Sequence, residues 1–335
     1  MKRPNLFKIA TSEFSQDAFI VWLLQWADIR YATIDAKLNG LAKNFVRALI
    51  NVSCDYEIKE VEAGRQWNNI DIWTAVNNEY IIVIEDKKGT KEHSDQLMRY
   101  AESVKEYYKN NEMKIILIYF KMEEQSNYTV VEKAGFSLFN REKMLKILGC
   151  YHSGTGEQVN NILLDYMDYL LELDENIKSF QSLPLNKWNW YSWKGFFSTI
   201  QKVFVGGEWD YVPNPAGGFL GFWWCWNYNN WNGKEFEYYL QLEQDQLVFK
   251  LYAYKPEDRY EIREYYRNKL YPAAKKQGAN IQQYGRIGTY MGVAKLSGDY
   301  RIPGNDGLID LSATIDNLRR MEQLITETEK ELSIT

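Results

Sequence analysis

The segment that most restricts the fold of this chain is a run of five apolar residues, 80–84, that ends directly in charge. An uninterrupted apolar run of this length is typical of a central strand that is buried on both faces. The run is followed by Glu85 and Lys87, which lie two residues apart and therefore point to the same side of a strand. The segment predicts a core strand whose end carries an acid and an amine into a site.

A second acid, Asp71, lies at one end of the preceding strand-like run, residues 69–75. Its position relative to Glu85 depends on the connection, because a one-residue slip in register moves a side chain to the other face of the sheet. A two-residue turn would pair Asp71 with Ile84 and leave Glu85 on the other face of the sheet. A three-residue loop, 77–79, pairs Val76 with Tyr80 and Asp71 with Glu85. The asparagine pair that opens this loop favours it, since asparagine tolerates positive φ.

Two carboxylates at neighbouring strand ends form a site of hard oxygen ligands that suits Mg²⁺ or Mn²⁺. A lysine beside such a metal can hold or polarise an attacking water, as phosphodiester hydrolysis requires. Further along the chain, residues 90–109 have the three- and four-residue spacing of an amphipathic helix. Gln96 and Tyr100 lie four apart there, so they share one face of the predicted helix.

At these residues the chain resembles the PD-(D/E)XK nuclease superfamily, the fold of restriction endonucleases and RecB-like exonucleases. Asp71 matches the first acidic position, Glu85 the second and Lys87 the lysine. Gln96 and Tyr100 match the Gln-x-x-x-Tyr helix motif of the RecB-like and lambda-exonuclease-like branch. The departure from the pattern is Ile70, which replaces the proline that precedes the first acid.

Glu13 matches a further acid that many members of the superfamily carry on the first helix. The resemblance implies a metal-dependent nuclease, with DNA as the expected substrate and defence or repair as the role suggested by analogy. It implies that Mg²⁺ or Mn²⁺ is bound by Asp71, Glu85 and the backbone carbonyl of Asp86. Lys87 would orient or activate water, and Glu13 would be an outer or second-metal acid. Gln96 and Tyr100 would brace the site or touch the nucleic-acid backbone.

The order of predicted elements in residues 1–180 is α-β-β-β-α-β, an α/β restriction-endonuclease-like core with a mixed central sheet. The predicted strands are 56–62, 69–75, 80–86, 114–121 and 130–139, and the predicted helices are 15–26, 41–50, 90–109, 141–148 and 158–178.

Residues 181–335 form the second predicted domain, an aromatic-rich α+β accessory domain. Eight of the twelve tryptophans fall between Trp188 and Trp231, so the composition changes sharply after residue 180. Strand-like runs at 219–228, 236–243 and 247–254 predict an antiparallel meander; a helix at 257–271, a strand at 285–296 and a helix at 308–332 follow. The aromatic residues could stack on unpaired bases, but filling a β core is the favoured interpretation.

Three arginines, Arg259, Arg263 and Arg267, recur every four residues and so form a stripe on one helix face. This stripe is a candidate contact with a nucleic-acid backbone. The interleaved acids Glu257, Glu261 and Glu264 leave open a solvated, salt-bridged face instead.

Net charge, residue counts and missing motifs limit the classes of protein that the sequence can represent. The formal charge of −5 gives no general attraction to nucleic acid, so binding depends on local groups and the metal. Two histidines disfavour His-based metallohydrolases, and no phosphate-binding GxxxxGK[ST] loop is present. Three scattered cysteines, the absence of a signal-peptide pattern and the lack of a membrane-length apolar run predict a cytoplasmic protein without a membrane partner.

Two alternatives from other functional classes remain open. A catalytically idle nuclease-fold protein would act as a nucleic-acid or protein interaction module, and a small-ligand or nucleotide-binding module would use an aromatic C-terminal cleft. The C-terminal domain is also the expected surface for a homodimer or a protein partner.

Overall fold

The computed structural model describes residues 3–67, 70–89, 95–151, 160–215 and 217–333. The chain divides into two compact units, Met1–Glu175 and Asn176–Thr335. Within the described ranges, no helix combines the length and the apolar character that crossing a bilayer requires.

The first unit contains a mixed five-stranded sheet in the order β1-β2-β3-β4-β5. Its strands are β1 (Val61–Trp67), β2 (Ile70–Val76), β3 (Tyr80–Lys87), β4 (Lys114–Lys121) and β5 (Ser137–Asn140). The first three strands pair antiparallel, whereas β3, β4 and β5 run parallel to one another. The strand β3 lies at the centre and is buried along its whole length, as the apolar run predicts.

Among the described residues, seven helices accompany this sheet: α1 (Leu6–Ile9), α2 (Glu13–Gln25), α3 (Ala36–Ile50), α4 (Gln96–Tyr107), α5 (Thr129–Lys133), α6 (Arg141–Tyr151) and α7 (Asn161–Lys178). The helix α4 buries Leu97, Ala101 and Val104 in a cluster that includes Val83 of β3 and Leu117 of β4. The helices α2 and α3 also contact β3. The predicted α-β-β-β-α-β order and mixed sheet are confirmed. The part of the predicted helix at residues 90–94 lies outside the described residues.

The hairpin between β2 and β3 has the predicted three-residue loop. Val76 pairs with Tyr80, and the register continues to Ile72 opposite Ile84. The first two loop residues, Asn77 and Asn78, have φ of 51° and 55°, in the left-handed region that asparagine tolerates. The alignment of this hairpin therefore places Asp71, one residue before Ile72, next to Glu85.

Two predicted strands of the first unit are wrong in extent. The strand predicted at 56–62 begins only at Val61, because the Asn77 side-chain oxygen accepts the backbone N–H groups of Lys59 and Glu60 and takes the donors that a ladder would use. The strand predicted at 130–139 is split into α5 and the short β5. Gly135, with φ of 81°, ends the helix between them.

The second unit contains a six-stranded antiparallel sheet in the order β10-β11-β9-β8-β7-β6. Its strands are β6 (Glu208–Val212), β7 (Phe219–Trp231), β8 (Lys234–Glu243), β9 (Gln246–Ala253), β10 (Ile281–Gln283) and β11 (Tyr290–Leu296). The helices α8 (Trp190–Gln201), α9 (Arg259–Lys276) and α10 (Leu311–Ser333) supply residues to one core with it. The predicted meander is β7-β8-β9, whereas α8, β6 and β10 were not predicted, and the strand predicted at 285–296 begins only at Tyr290. Trp193, Trp209 and Trp224 are buried in this core, as the favoured interpretation of the aromatic residues expects.

The loop residue Asn77 provides a test of the register. Replacing Asn77 with alanine removes the acceptor for two backbone N–H groups. It also forces alanine, which disfavours positive φ, to adopt the φ of 51° found at this position. We expect Asn77→Ala to lower the free energy of unfolding by about 2–3 kcal/mol. Asn78→Gly at the neighbouring, exposed position is the control and should change it by less than about 0.5 kcal/mol. Urea unfolding followed by tryptophan fluorescence measures both, and equal values for the two variants would contradict the assigned role.

Candidate active site

The end of β3 holds an ion pair that is almost completely buried. The Lys87 Nζ atom lies 2.7 Å from Glu85 Oε1, and the exposed fractions of Glu85 and Lys87 are 1% and 8%. The two side chains lie together because they are two residues apart on one strand. A buried pair of this kind needs further hydrogen bonds to offset the loss of hydration.

The helix α4 supplies one of those bonds. Gln96, its first residue, donates from Nε2 to Glu85 Oε1 at 3.0 Å, and the same nitrogen lies 2.8 Å from the Tyr100 hydroxyl. Gln96 and Tyr100 are one helical turn apart, so both reach the end of β3 from one face of α4. The structure thus brings four of the predicted site residues, Glu85, Lys87, Gln96 and Tyr100, into one hydrogen-bonded group.

Asp71 closes the site from β2. Its Oδ2 atom accepts the backbone N–H of Asp86 at 3.0 Å, and its charge acts on the Glu85 carboxyl group of the neighbouring strand. Burial raises the pKa of Asp71, although the bond from the Asp86 backbone and the charge of Lys87 act against the rise. Two ionised carboxyl groups on neighbouring strands repel each other, and this repulsion favours a proton or a cation at one of them.

The pKa of Glu85 shows most clearly the effect of burying these carboxyl groups together. Burial raises the pKa of Glu85 to about 7, the Asp71 charge adds to the rise, and the Lys87 ammonium opposes it. While Glu85 Oε1 has its partners, the buried Oε2 atom has no hydrogen-bond partner. A buried carboxylate oxygen without a donor is unfavourable, and a cation shared with Asp71 would relieve it.

The donor set therefore fits a hard divalent cation. Asp71, the Glu85 Oε2 atom and the backbone carbonyl of Asp86 are oxygen ligands of the kind that Mg²⁺ and Mn²⁺ take. The described ranges contain no group of three or more His, Cys, Asp or Glu side chains arranged to hold a metal. Water would have to complete the coordination shell, which is usual for Mg²⁺.

Glu13 also lies at this site. It is the first residue of α2, and its Oε1 atom accepts the backbone N–H of Lys88 at 3.1 Å, just beyond β3. Its charge acts on the pKa of both Asp71 and Lys87. The helix α2 therefore holds Glu13 against the strand end that carries the other acids.

Asp17 and the side chain of Asp86 form a second buried acidic pair, which was not predicted from the sequence. Asp86 is fully buried, and its Oδ1 atom accepts a 2.6 Å bond from the side chain of Gln16. Burial and the nearby charge of Asp71 raise the pKa of Asp17 to about 6, although Arg65 lies 3.3 Å from its Oδ2 atom. Burial, followed by the charge of Asp17, raises the pKa of Asp86 well above its usual range.

One signal in the sequence pointed to Asp17. It follows Glu13 by four residues and therefore shares its helix face, but only Glu13 matched a family position. Gln16 is in turn fixed by Tyr166, whose hydroxyl lies 3.3 Å from its Oε1 atom. The side of β3 opposite to Glu85 is thus anchored by a polar network that holds the end of the strand in place.

The arginine stripe lies in the second unit and is turned toward its own sheet. Arg263 is 6% exposed and donates to the carbonyls of Tyr284 and Gly285. Arg259 bonds to Thr289, and Arg267 bonds to the carbonyl of Val293 and pairs with Glu264 at 2.7 Å. These contacts join α9 to the edge of the sheet formed by β10 and β11. Contact of the arginine stripe with nucleic acid stays a prediction.

The raised pKa of Glu85 predicts a pH-dependent stability in metal-free protein. The folded-state pKa of about 7 lies above the ordinary value of 4.5, so the folded state binds more protons between these values. The stabilisation is present at low pH and is lost as the pH rises from about 4.5 to about 7, by on the order of 3 kcal/mol. Urea unfolding in EDTA across this range measures the slope.

Glu85→Gln should flatten that slope only in part, since Asp17, Asp71 and Asp86 also have raised pKa values and still contribute. The exposed Glu102→Gln is the matched control and should keep the wild-type slope. An unchanged slope in Glu85→Gln would show that Glu85 does not carry the extra proton.

Comparison with known proteins identifies the family of this chain. Searches of curated proteins and of solved structures found no match. A family model described as the PD-(D/E)XK nuclease superfamily matches residues 4–194, more than half of the chain and all of the residues assembled around β3. The chain is therefore a member of the PD-(D/E)XK nuclease superfamily.

Proposed function

We propose that this protein is a metal-dependent nuclease that hydrolyses phosphodiester bonds in DNA. The observation that carries the proposal is the geometry of Glu85. One of its oxygens is held by Lys87 and Gln96, while the other is buried and has no hydrogen-bond partner, and the Asp71 charge acts on the same carboxyl group. This arrangement supports a site that is completed by a cation.

In this proposal Asp71, Glu85 and the Asp86 carbonyl hold Mg²⁺ or Mn²⁺, and Glu13 is an outer acid beside Lys88. The bound metal would polarise a phosphoryl oxygen and lower the pKa of water. Gln96 fixes the orientation of Glu85 by donating a hydrogen bond from its side-chain amide. The same amide nitrogen also donates to the Tyr100 hydroxyl.

The protonation of Lys87 defines its role. Burial acts to lower the pKa of Lys87, but the ion pair with Glu85 and the charges of Asp71 and Glu13 outweigh it, so this pKa is raised. Lys87 is therefore an ammonium group at neutral pH and cannot accept a proton from water. It orients the water and neutralises charge that develops on the phosphate.

The finer assignments follow the family resemblance. Gln96 and Tyr100 support the RecB-like branch, and the family resemblance suggests a role in defence or repair. A cytoplasmic setting fits the three cysteines, which are free in the structure. The Asp71, Glu85 and Lys87 cluster is complete, which favours an active enzyme over an idle interaction module.

Substitution of the acids tests the chemistry. Asp71→Ala and Glu85→Ala should each lower cleavage by at least about 10²-fold while the protein stays folded, because each removes an oxygen ligand. Lys87→Ala should lower kcat more than it lowers metal affinity. Lys105→Ala, an exposed lysine of α4, should leave cleavage unchanged.

The assay uses single- and double-stranded DNA and RNA with Mg²⁺, Mn²⁺ or EDTA. Wild-type rates in Glu85→Ala would contradict the site. The absence of cleavage of every substrate by the wild type would favour the idle module, and cleavage of RNA alone would correct the substrate.

Metal binding is expected to stabilise the folded chain. Asp71 and Glu85 repel each other when both are ionised, so Mg²⁺ or Mn²⁺ should raise the Tm in step with occupancy. The rise should disappear in Asp71→Asn, as calorimetric scans over a metal titration will show. An equal rise in wild type and variant would place the metal elsewhere.

A further inference from the structure

The sheet of the second unit has one face that packs into the core and one that carries aromatic and acidic side chains. Core residues alternate along β8 and β9 with residues that point the other way. In this outward set, Tyr228 lies opposite Glu237, Glu237 lies opposite Tyr252, and Tyr252 lies opposite Tyr290. Since paired residues share a face, these four side chains form one row across β7, β8, β9 and β11.

The aromatic members of this row remain open to solvent. The exposed fractions of Tyr228 and Tyr290 are 54% and 60%, and that of the neighbouring Tyr254 is 45%. The Tyr252 ring packs between two of them, with its centroid 4.9 Å from that of Tyr254 and 4.8 Å from that of Tyr290. A cluster of exposed rings on a rigid sheet is typical of an interaction surface.

Two carboxylates lie among these rings. The Tyr228 hydroxyl donates to Glu235 Oε1 at 2.6 Å, and the Tyr254 hydroxyl donates to Glu237 Oε1 at 2.5 Å. These bonds hold the rings in place and leave the second oxygen of each carboxylate to accept another donor. The rings are therefore ordered before a partner arrives, which lowers the entropy lost on binding.

The charges decide which partner fits. Phosphate groups would meet two carboxylates here, so the surface is unsuited to a nucleic-acid backbone despite its stacking rings. An ammonium or guanidinium group is attracted both by the ring faces and by the carboxylates. Lys250, two residues before Tyr252 on the same face, lies 3.5 Å from Glu243 and so is directed to a different acid.

We propose that this acidic-aromatic surface binds a protein segment that carries arginine or lysine side chains. The surface consists of Tyr228, Glu235, Glu237, Tyr252, Tyr254 and Tyr290. A basic side chain would lie over the rings and donate to a carboxylate, as interface arginines do. The proposal is independent of nuclease activity, because none of these residues belongs to the site at β3.

The test measures binding of a fluorescein-labelled nonaarginine peptide to the full chain by fluorescence anisotropy. The double variant Glu235→Gln/Glu237→Gln should raise Kd about tenfold, and Tyr228→Ala/Tyr290→Ala should do the same. Tyr290→Phe keeps the ring and should bind like wild type. Equal Tm values verify that the variants are folded.

The control for general charge is Glu102→Gln/Glu106→Gln, which removes two exposed negative charges from α4 of the other unit. Its Kd should stay within about twofold of wild type. Weakening by the same factor in this control, or no weakening in either surface variant, would overturn the proposal. So would tight binding of single-stranded DNA that both tyrosine substitutions abolish, since that would identify a base-stacking surface.

Discussion

Repulsion among buried carboxyl groups at the end of β3 is the interaction on which the site depends. One oxygen of Glu85 is bonded to Lys87 and Gln96, its other oxygen is buried without a donor, and the Asp71 charge acts on the same carboxyl group. On the opposite side of the same strand end, Asp86 is buried against Asp17. Water is largely excluded, so these charges are compensated by protons or by a metal rather than by hydration.

Strand register and side-chain hydrogen bonds hold these acids together. The β2–β3 loop fixes the register, and the Asn77 side chain ties that loop to the segment before β1. On the other side, Gln16 and Tyr166 hold Asp86. A binding site that carries destabilising charge needs this support, because its geometry would otherwise relax as the acids move apart.

Much of this arrangement could be predicted from local pattern. The apolar run before Glu85 identified the central strand, and the asparagine pair identified a loop length that sets Asp71 beside it. Both depend on contacts close in sequence, for which periodicity and turn chemistry are good guides. The spacing of Gln96 and Tyr100 likewise predicted the shared helix face that the structure shows.

Features that depend on distant side chains were missed. Residues 56–60 alternate like a strand, but the Asn77 side chain takes the donors of Lys59 and Glu60. Arg263 has the spacing of a surface stripe, yet the backbone carbonyls that bury it come from residues about twenty positions later. The spacing of Asp17 from Glu13 indicated a shared helix face, but the pairing of Asp17 with Asp86 depends on the packing of α2 against β1 and β3.

The central claim is that a divalent cation binds between Asp71 and the unpartnered oxygen of Glu85. Anomalous diffraction from crystals of the protein grown with Mn²⁺ tests it most directly. The account predicts an anomalous peak within coordination distance of Asp71, Glu85 Oε2 and the Asp86 carbonyl, and the loss of that peak in Glu85→Gln. Full Mn²⁺ occupancy at another position, with Asp71 and Glu85 making no contact to it, would contradict the account.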